Sequence, residues 1–520
     1  MIINKLKTSA ICISLLTAVS CTNDFESINK NEYGASNKDL EQDYNNIKAP
    51  FGPMFSNVLV LTAWPYQYQQ NLQADVWSGY MASGSGFATG NNHTYSFRDD
   101  WNVLAWDTAY REIMANALRV EQRAKGKYDQ FYSISLIIKV AGMSRITDIY
   151  GPILYSKYGT PGTAWEYDSQ ESVYNQMFTE LDYAVNDLTK RVNANEATLF
   201  EATDVSIYKG SYEKWARYAN SLRLRLAMHI VKINPALAKT QAEKAVSHPI
   251  GVMKVASDAL ILNAANYSNP VTAISQVWTD INMSADMESI MGGYNDPRLA
   301  AYFKTAPAYP GQYKGVRNGI DIVDAHYRDF AKVDAKQTVW MTTAEVYFLR
   351  AEGALRGWNM SGTAQALYED GIAASFNQHG VSGAAAYIET TAVAKDYDDP
   401  TSTVNDAVAV NLVPVKYNAA GTNEQQLQQI ITQKWICGFP EGQEAWTEWR
   451  RTGYPKLFKI VKNTSPDIIP TNLGVRRINF VSSEKNGNPV GFASGEKLIG
   501  GKDKDNGATR LWWDTTGPNF

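Results

Sequence analysis

From about Leu40 onward, apolar residues recur three and four positions apart over long windows, the spacing of a helix with one buried face, and few stretches alternate as strands do. The pattern predicts helices over residues 106–125, 129–149, 169–191, 212–233, 343–356, 363–379 and 423–439. Several follow one another across short breaks, such as Gly126-Lys127 and residues 357–362. Small residues, among them Ala344 and Ala351, recur where two helices would have to approach. Pairing of this kind resembles tetratricopeptide-like helix pairs of about 34 residues, although no strict sequence period runs through the chain. The expected fold class is mainly α, a helix-pair scaffold with large, irregular, loop-rich insertions.

Those insertions stand out as losses of periodicity. Residues 82–92, 256–336 and 384–422 lack a helical pattern, and the second carries Gly292-Gly293, Pro297, Pro307, Pro310, Gly311 and Gly315, which punctuate any long helix. Loops of such length in a compact body are usually functional or hold small local structure of their own. The tail over residues 470–520 also reads as irregular, and Trp512-Trp513 near its end offers an aromatic anchor onto the body.

Composition narrows the classes. The chain has 520 residues, 44% hydrophobic and 20% charged, with a formal net charge of -4. That balance describes a globular protein with ample core and excludes a nucleic-acid binder that works by excess positive charge. Three cysteines cannot make a disulfide scaffold. The surplus lies in 30 Tyr and 14 Trp, flat amphipathic rings that serve either a core or a ligand.

The N-terminus has a basic start at Lys5 and Lys7, an uncharged apolar stretch from Ala10 to Val19, then Ser20 and Cys21. This is a secretory signal, too short to span a bilayer as a mature helix. Small residues directly before Cys21 mark a lipoprotein signal cleaved at that cysteine, which would carry the lipid. The expected organisation is a signal peptide over 1–20, a lipidated tether over 21–40 and a body over 41–520. Within the body, helix pairs fill about 105–250 and 340–455, irregular ligand-binding parts lie at 60–102, 256–336 and 384–422, and the tail is 470–520. Loss of Lys5 and Lys7 leaves 47 basic residues against 53 acidic, a net charge of -6, so membrane contact falls to the lipid rather than to charge. Cys12 leaves with the signal, and Cys437, between Ile436 and Phe439, reads as a buried, inert thiol.

Catalytic chemistry finds little support. The five histidines are scattered, with no H-E-x-x-H, paired-cysteine, phosphate-loop or G-x-S-x-G pattern, so no metal site, cofactor or nucleophile is expected. The best carboxylate cluster is Glu441, Glu444 and Glu448. Glu444 and Glu448 lie four apart on one helix face with Arg450 and Arg451 following, which points to structural ion pairing rather than to two acids flanking a bond.

What remains is aromatic density in irregular sequence. From Trp64 to Trp106, ten aromatic residues are interleaved with Gln, Asn, Ser and Gly. Ring faces stack on sugar C–H faces while amides bond hydroxyls, so the composition suits a neutral glycan. Trp106 and Tyr110 are expected in the core. Trp77 and Trp101 are the expected surface rings, Phe87 sits at a Gly/Ser-rich loop tip, and the second aromatic loop adds Trp278, Asn282 and Tyr294.

Motifs in series then identify a family. Thr147-Asp148-Ile-Tyr-Gly151-Pro152-Ile-Leu-Tyr155-Ser156, the helix around Trp215 to Arg225, Asp296-Pro297-Arg298-Leu299, and Glu444-Ala445-Trp446 through Tyr454-Pro455 follow the order of the SusD/RagB family, with Leu154 where proline is usual. The chain resembles its SusD-like outer-membrane lipoproteins from Bacteroidetes. The resemblance implies four tetratricopeptide-like helix pairs and a cell-surface, lipid-anchored protein of the outer membrane. It further implies a non-catalytic lid that captures oligosaccharide and delivers it to a SusC-like TonB-dependent β-barrel transporter, with no nucleic acid involved. Arg223 and Arg225 are expected to pair with carboxylates between helices. A peptide-capturing lid of the RagB type, and a surface glycosidase, stand as alternatives.

Overall fold

The computed structural model describes residues 45–86, 91–263, 267–322 and 325–520. The signal peptide, Cys21 and Phe87 lie outside the described residues. Residues up to Ala49 form a unit of their own, in which the single turn Asn45–Lys48 is described, and Pro50–Phe520 forms the second.

Helices dominate the second unit, and their limits follow from local chemistry. Ser169, Ser211, Thr342 and Thr363 each accept from a backbone N–H in the first turn of the helix that follows. Thr422 and Gln425 form a reciprocal capping box. Each such cap satisfies a donor that the helix itself leaves unpaired. The helix Gly442–Thr452 stops at Gly453, whose φ of 76° is open to glycine at little cost.

The long helices pack in sequence. Asp129–Tyr150 lies on Gln170–Asn193, which lies on Tyr212–His229, which lies on Pro235–Ser247. Thr343–Leu355 packs on Ala364–Gln378 and on Asn423–Gly438, and the latter meets Gly442–Thr452. The two series join where Tyr212–His229 touches Thr343–Leu355. Gly371 permits one close approach, since a Cβ there would stand 2.8 Å from the Phe348 ring.

Three short antiparallel pairs tie the irregular segments down. Met81–Ser83 pairs with Ile281–Met283, Leu260–Ile261 with Val339–Met341, and Phe303–Lys304 with Lys332–Val333. The first brings the two aromatic loops of the sequence side by side. The tail departs from its expected irregularity: Ser482–Gly487 and Pro489–Leu498 are helical, the second started by Pro489 with the Asn488 side chain accepting from Gly491. Proline is favoured at the first helical position, so Pro489 starts a helix within sequence read as irregular.

The core accounts for several sequence features. Cys437 is buried, and burial pushes its thiol up to about 12. Trp106 is 1% exposed and stacks on Tyr110, and Trp513 is fully buried with its Nε1 donating to Asp148 Oδ1 at 2.7 Å.

Candidate ligand-binding surface

The carboxylate cluster resolves into a buried ion-pair network. Lys434 Nζ lies 2.7 Å from Glu444 and 3.4 Å from Glu448, Arg451 binds Glu448 and Glu352 at 2.7 Å each, and Arg225 binds Glu345 at 2.7 Å. Arg223 pairs with Asp182. Ligand atoms of His229, Glu444 and Glu448 lie within 4.8 Å of one another, a spacing able to hold a metal ion. The Lys434 ammonium already supplies the positive charge there, and His229 is a second cation. Burial alone would lower the His229 pKa, but Glu444 and Asp148 on its two ring nitrogens raise it to about 9. Charges so matched hold helices in register, and removing one partner strands the other.

The loops named by aromatic content sort by what covers them. Trp77 is only 8% exposed, packed on Trp446 at 4.9 Å and donating through Nε1 to Asn92 O. Trp101 is equally buried, with its ring 4.9 Å from Tyr68. The expected surface position of these two rings is therefore corrected. Asn282, on the strand Ile281–Met283, is fully buried and donates to the carbonyls of Phe330 and Arg328. Tyr294 is 1% exposed, and its hydroxyl donates to Val413 O. Of the described rings expected from sequence as ligand contacts, Trp278 alone presents a face, at 37% exposure.

Trp64, which opens the aromatic-rich loop but was not among the individual contacts expected from sequence, is 57% exposed. It sits on the turn Ala63–Tyr66, which runs into a π-helical turn, Gln67–Asn71. Its ring meets Tyr68 edge-on at 5.3 Å, and Tyr68 in turn rests on Trp101. The same turn packs on Pro270–Gln276, the helix that leads into Val277 and Trp278. Gln67 Nε2 donates to Asp280 Oδ2 at 3.0 Å, closing the link between the two segments. Trp64 and Trp278 thus belong to two touching segments, with half-buried Tyr68 and the 75%-exposed Val277 beside them.

The amides interleaved with these rings serve the interior. Buried Asp75 accepts from Tyr66 Oη and Gln70 Nε2, each at 3.0 Å, and from Asn71 Nδ2 at 3.1 Å. Burial raises its pKa to about 6 against those hydrogen bonds. Arg145 bridges Gln70 and Glu441 at 2.5 Å each. The turn that carries Trp64 and Tyr68 is therefore braced from below by a polar network, which presents the rings without their having to order on binding.

Among the described residues, no helix is long and apolar enough to cross a membrane. Comparison with known proteins gives a consistent result. A family model described as SusD-like, Susd and RagB outer membrane lipoprotein, matches residues 27–514. A chitin-binding SusD homolog from Flavobacterium johnsoniae is 58% identical, covers 92% of this chain and 100% of its own, and superposes with a TM-score of 0.90. SusD homologs from Bacteroides vulgatus and Bacteroides uniformis are 34% and 35% identical, with TM-scores of 0.86 and 0.85. They cover 92% and 91% of this chain, and 100% and 99% of their own. No curated protein matches.

Proposed function

The chain belongs to the SusD-like family of outer membrane lipoproteins, and on that premise we propose that it binds oligosaccharide at the cell surface and passes it, unmodified, to a SusC-like TonB-dependent transporter. The Cys21 lipid would hold it to the outer membrane. The observation that carries the reading is the exposure of Trp64 and Trp278 on touching segments, in a fold whose 58%-identical neighbour is described as chitin-binding. Exposed aromatic faces suit the apolar C–H faces of a neutral sugar, and chito-oligosaccharide is the first ligand to try. The best carboxylate cluster in the sequence is consumed by ion pairs, which supports binding without bond cleavage.

A binding panel tests this. Calorimetry of the mature protein against chito-oligosaccharides, other neutral oligosaccharides and a peptide pool should give heat with a sugar and none with peptides. The sugar should be recovered at its original length. Saturable peptide binding with silent sugars would overturn the reading in favour of peptide capture, and new reducing ends would overturn the non-catalytic role.

A further inference from the structure

A cavity of about 440 Å³ opens between the end of the Gly442–Thr452 helix, the loop at Lys456–Ile460 and the tail near Thr515–Asn519. Its walls carry seven basic side chains and one acidic, Asp286, in a chain whose net charge is negative. Some of the basic charge is matched from behind. Arg451 has Glu352 and Glu448, while Arg476 and Arg510 share the single carboxylate of Asp514.

Four cations have no carboxylate at salt-bridge distance among the described residues. Buried Arg450 is held over the Trp446 ring at 3.5 Å, and its N–H groups go to the carbonyls of Asp148, Arg476 and Trp446 and to the Thr447 hydroxyl. Lys232 donates only to the carbonyls of Arg451 and Thr515, at 3.4 and 3.2 Å. Lys456 sits over the Tyr454 ring and, like Lys459, is exposed. Burial and the neighbouring Arg451 and Arg510 depress the Lys232 pKa and outweigh the opposing pull of Asp514 and Glu424. Asp286, buried and accepting from Phe458 N, is raised to about 7 and so offsets little of the positive charge.

Clefts lined by one sign of charge with low-dielectric walls focus the field and concentrate the opposite ion. Four aromatic residues, Trp77, Tyr95, Trp449 and Phe458, also line it. Positive charge beside flat apolar faces is the chemistry of a carboxylate carried on a small ring. We propose that this cavity is a second binding site, separate from the Trp64 and Trp278 surface, for an anionic sugar bearing a carboxylate.

Glucuronate, glucose and a chito-oligosaccharide, each titrated into the mature protein at pH 7 and low salt, test the proposal. Glucuronate should bind and glucose should not. Glucuronate affinity should fall at least fivefold between 20 and 200 mM NaCl, and about tenfold in Lys456→Gln/Lys459→Gln, whose exposed positions leave the fold intact. Chito-oligosaccharide heat, if present, should be unchanged in that variant, which separates failure of this site from failure of the surface site. No glucuronate heat, an equal response to glucose, or glucuronate binding indifferent to the double substitution would overturn the proposal.

Discussion

Whether a tryptophan is a wall or a hand depends on what packs across it. Trp77 and Trp64 lie on short turns of the same aromatic-rich loop, yet Trp446 from far along the chain covers the first, while the second, beside Tyr68, stays 57% exposed. Trp77→Ala should therefore cost roughly 3–5 kcal/mol of stability, read as a fall in denaturation midpoint. His229 makes a pH-dependent contribution of its own. Its folded pKa near 9 stands above the ordinary value of about 6.5, so its stabilisation is complete below pH 6.5 and is lost as pH rises to 9. The shift corresponds to about 3 kcal/mol, and the thermal midpoint should decline across pH 6.5 to 9 in the wild type and much less in His229→Gln. Of this network, Glu444, Glu448 and Arg451 were readable in sequence as neighbouring opposite charges, whereas His229, Lys434 and Glu352 join from other helices and were not. The covering of Trp77, Trp101, Asn282 and Tyr294 was not, because it depends on partners in other segments, from tens to hundreds of positions away.

At the scale of elements, helical periodicity survives wherever a helix buries one face, so the predicted spans agree with the structure to within a few residues for Asp129–Tyr150, Gln170–Asn193 and Thr343–Leu355. The helical run that the pattern opened at Trp106 starts earlier, at Asp99, and passes through a π-helical turn at Ala109–Met114, for which a 3.6-residue period holds no signal. Helix contact also explains sequence that looked permissive. Gly371 lies mid-helix, where glycine is unfavourable, because Phe348 fills the space of its side chain. Gly371→Ala should destabilise by about 1–3 kcal/mol through overpacking, despite the better helix propensity of alanine, and a denaturant midpoint will show the sign. On Trp64's turn, propensity is silent about exposure, and the polar network around Asp75 is assembled from Tyr66, Gln70 and Asn71 only once the turn has formed.

For the molecule as a whole, the tail closes the scaffold. Trp513 reaches Asp148, the Trp512 N–H donates to Gln170, and Arg356 donates to the Asn519 carbonyl, so the last residues bind both helix series. The family order of motifs was legible because those motifs sit on packed helices and their caps. The proposed ligand face was legible only as a region, since its rings lie where packing ends. Lipidation at Cys21 would make attachment independent of the folded body: Cys21→Ser should leave the thermal midpoint unchanged and move the protein from the outer-membrane fraction to the soluble one. The claim on which the functional account turns is that Trp64 and Trp278 are the hand. Calorimetry of a chito-oligosaccharide against the wild type and Trp64→Ala/Trp278→Ala measures it directly. A saturable heat that weakens at least tenfold in the double variant, about 1.4 kcal/mol or more, is the expected result. Equal affinity in the two proteins, with both folded, would contradict it.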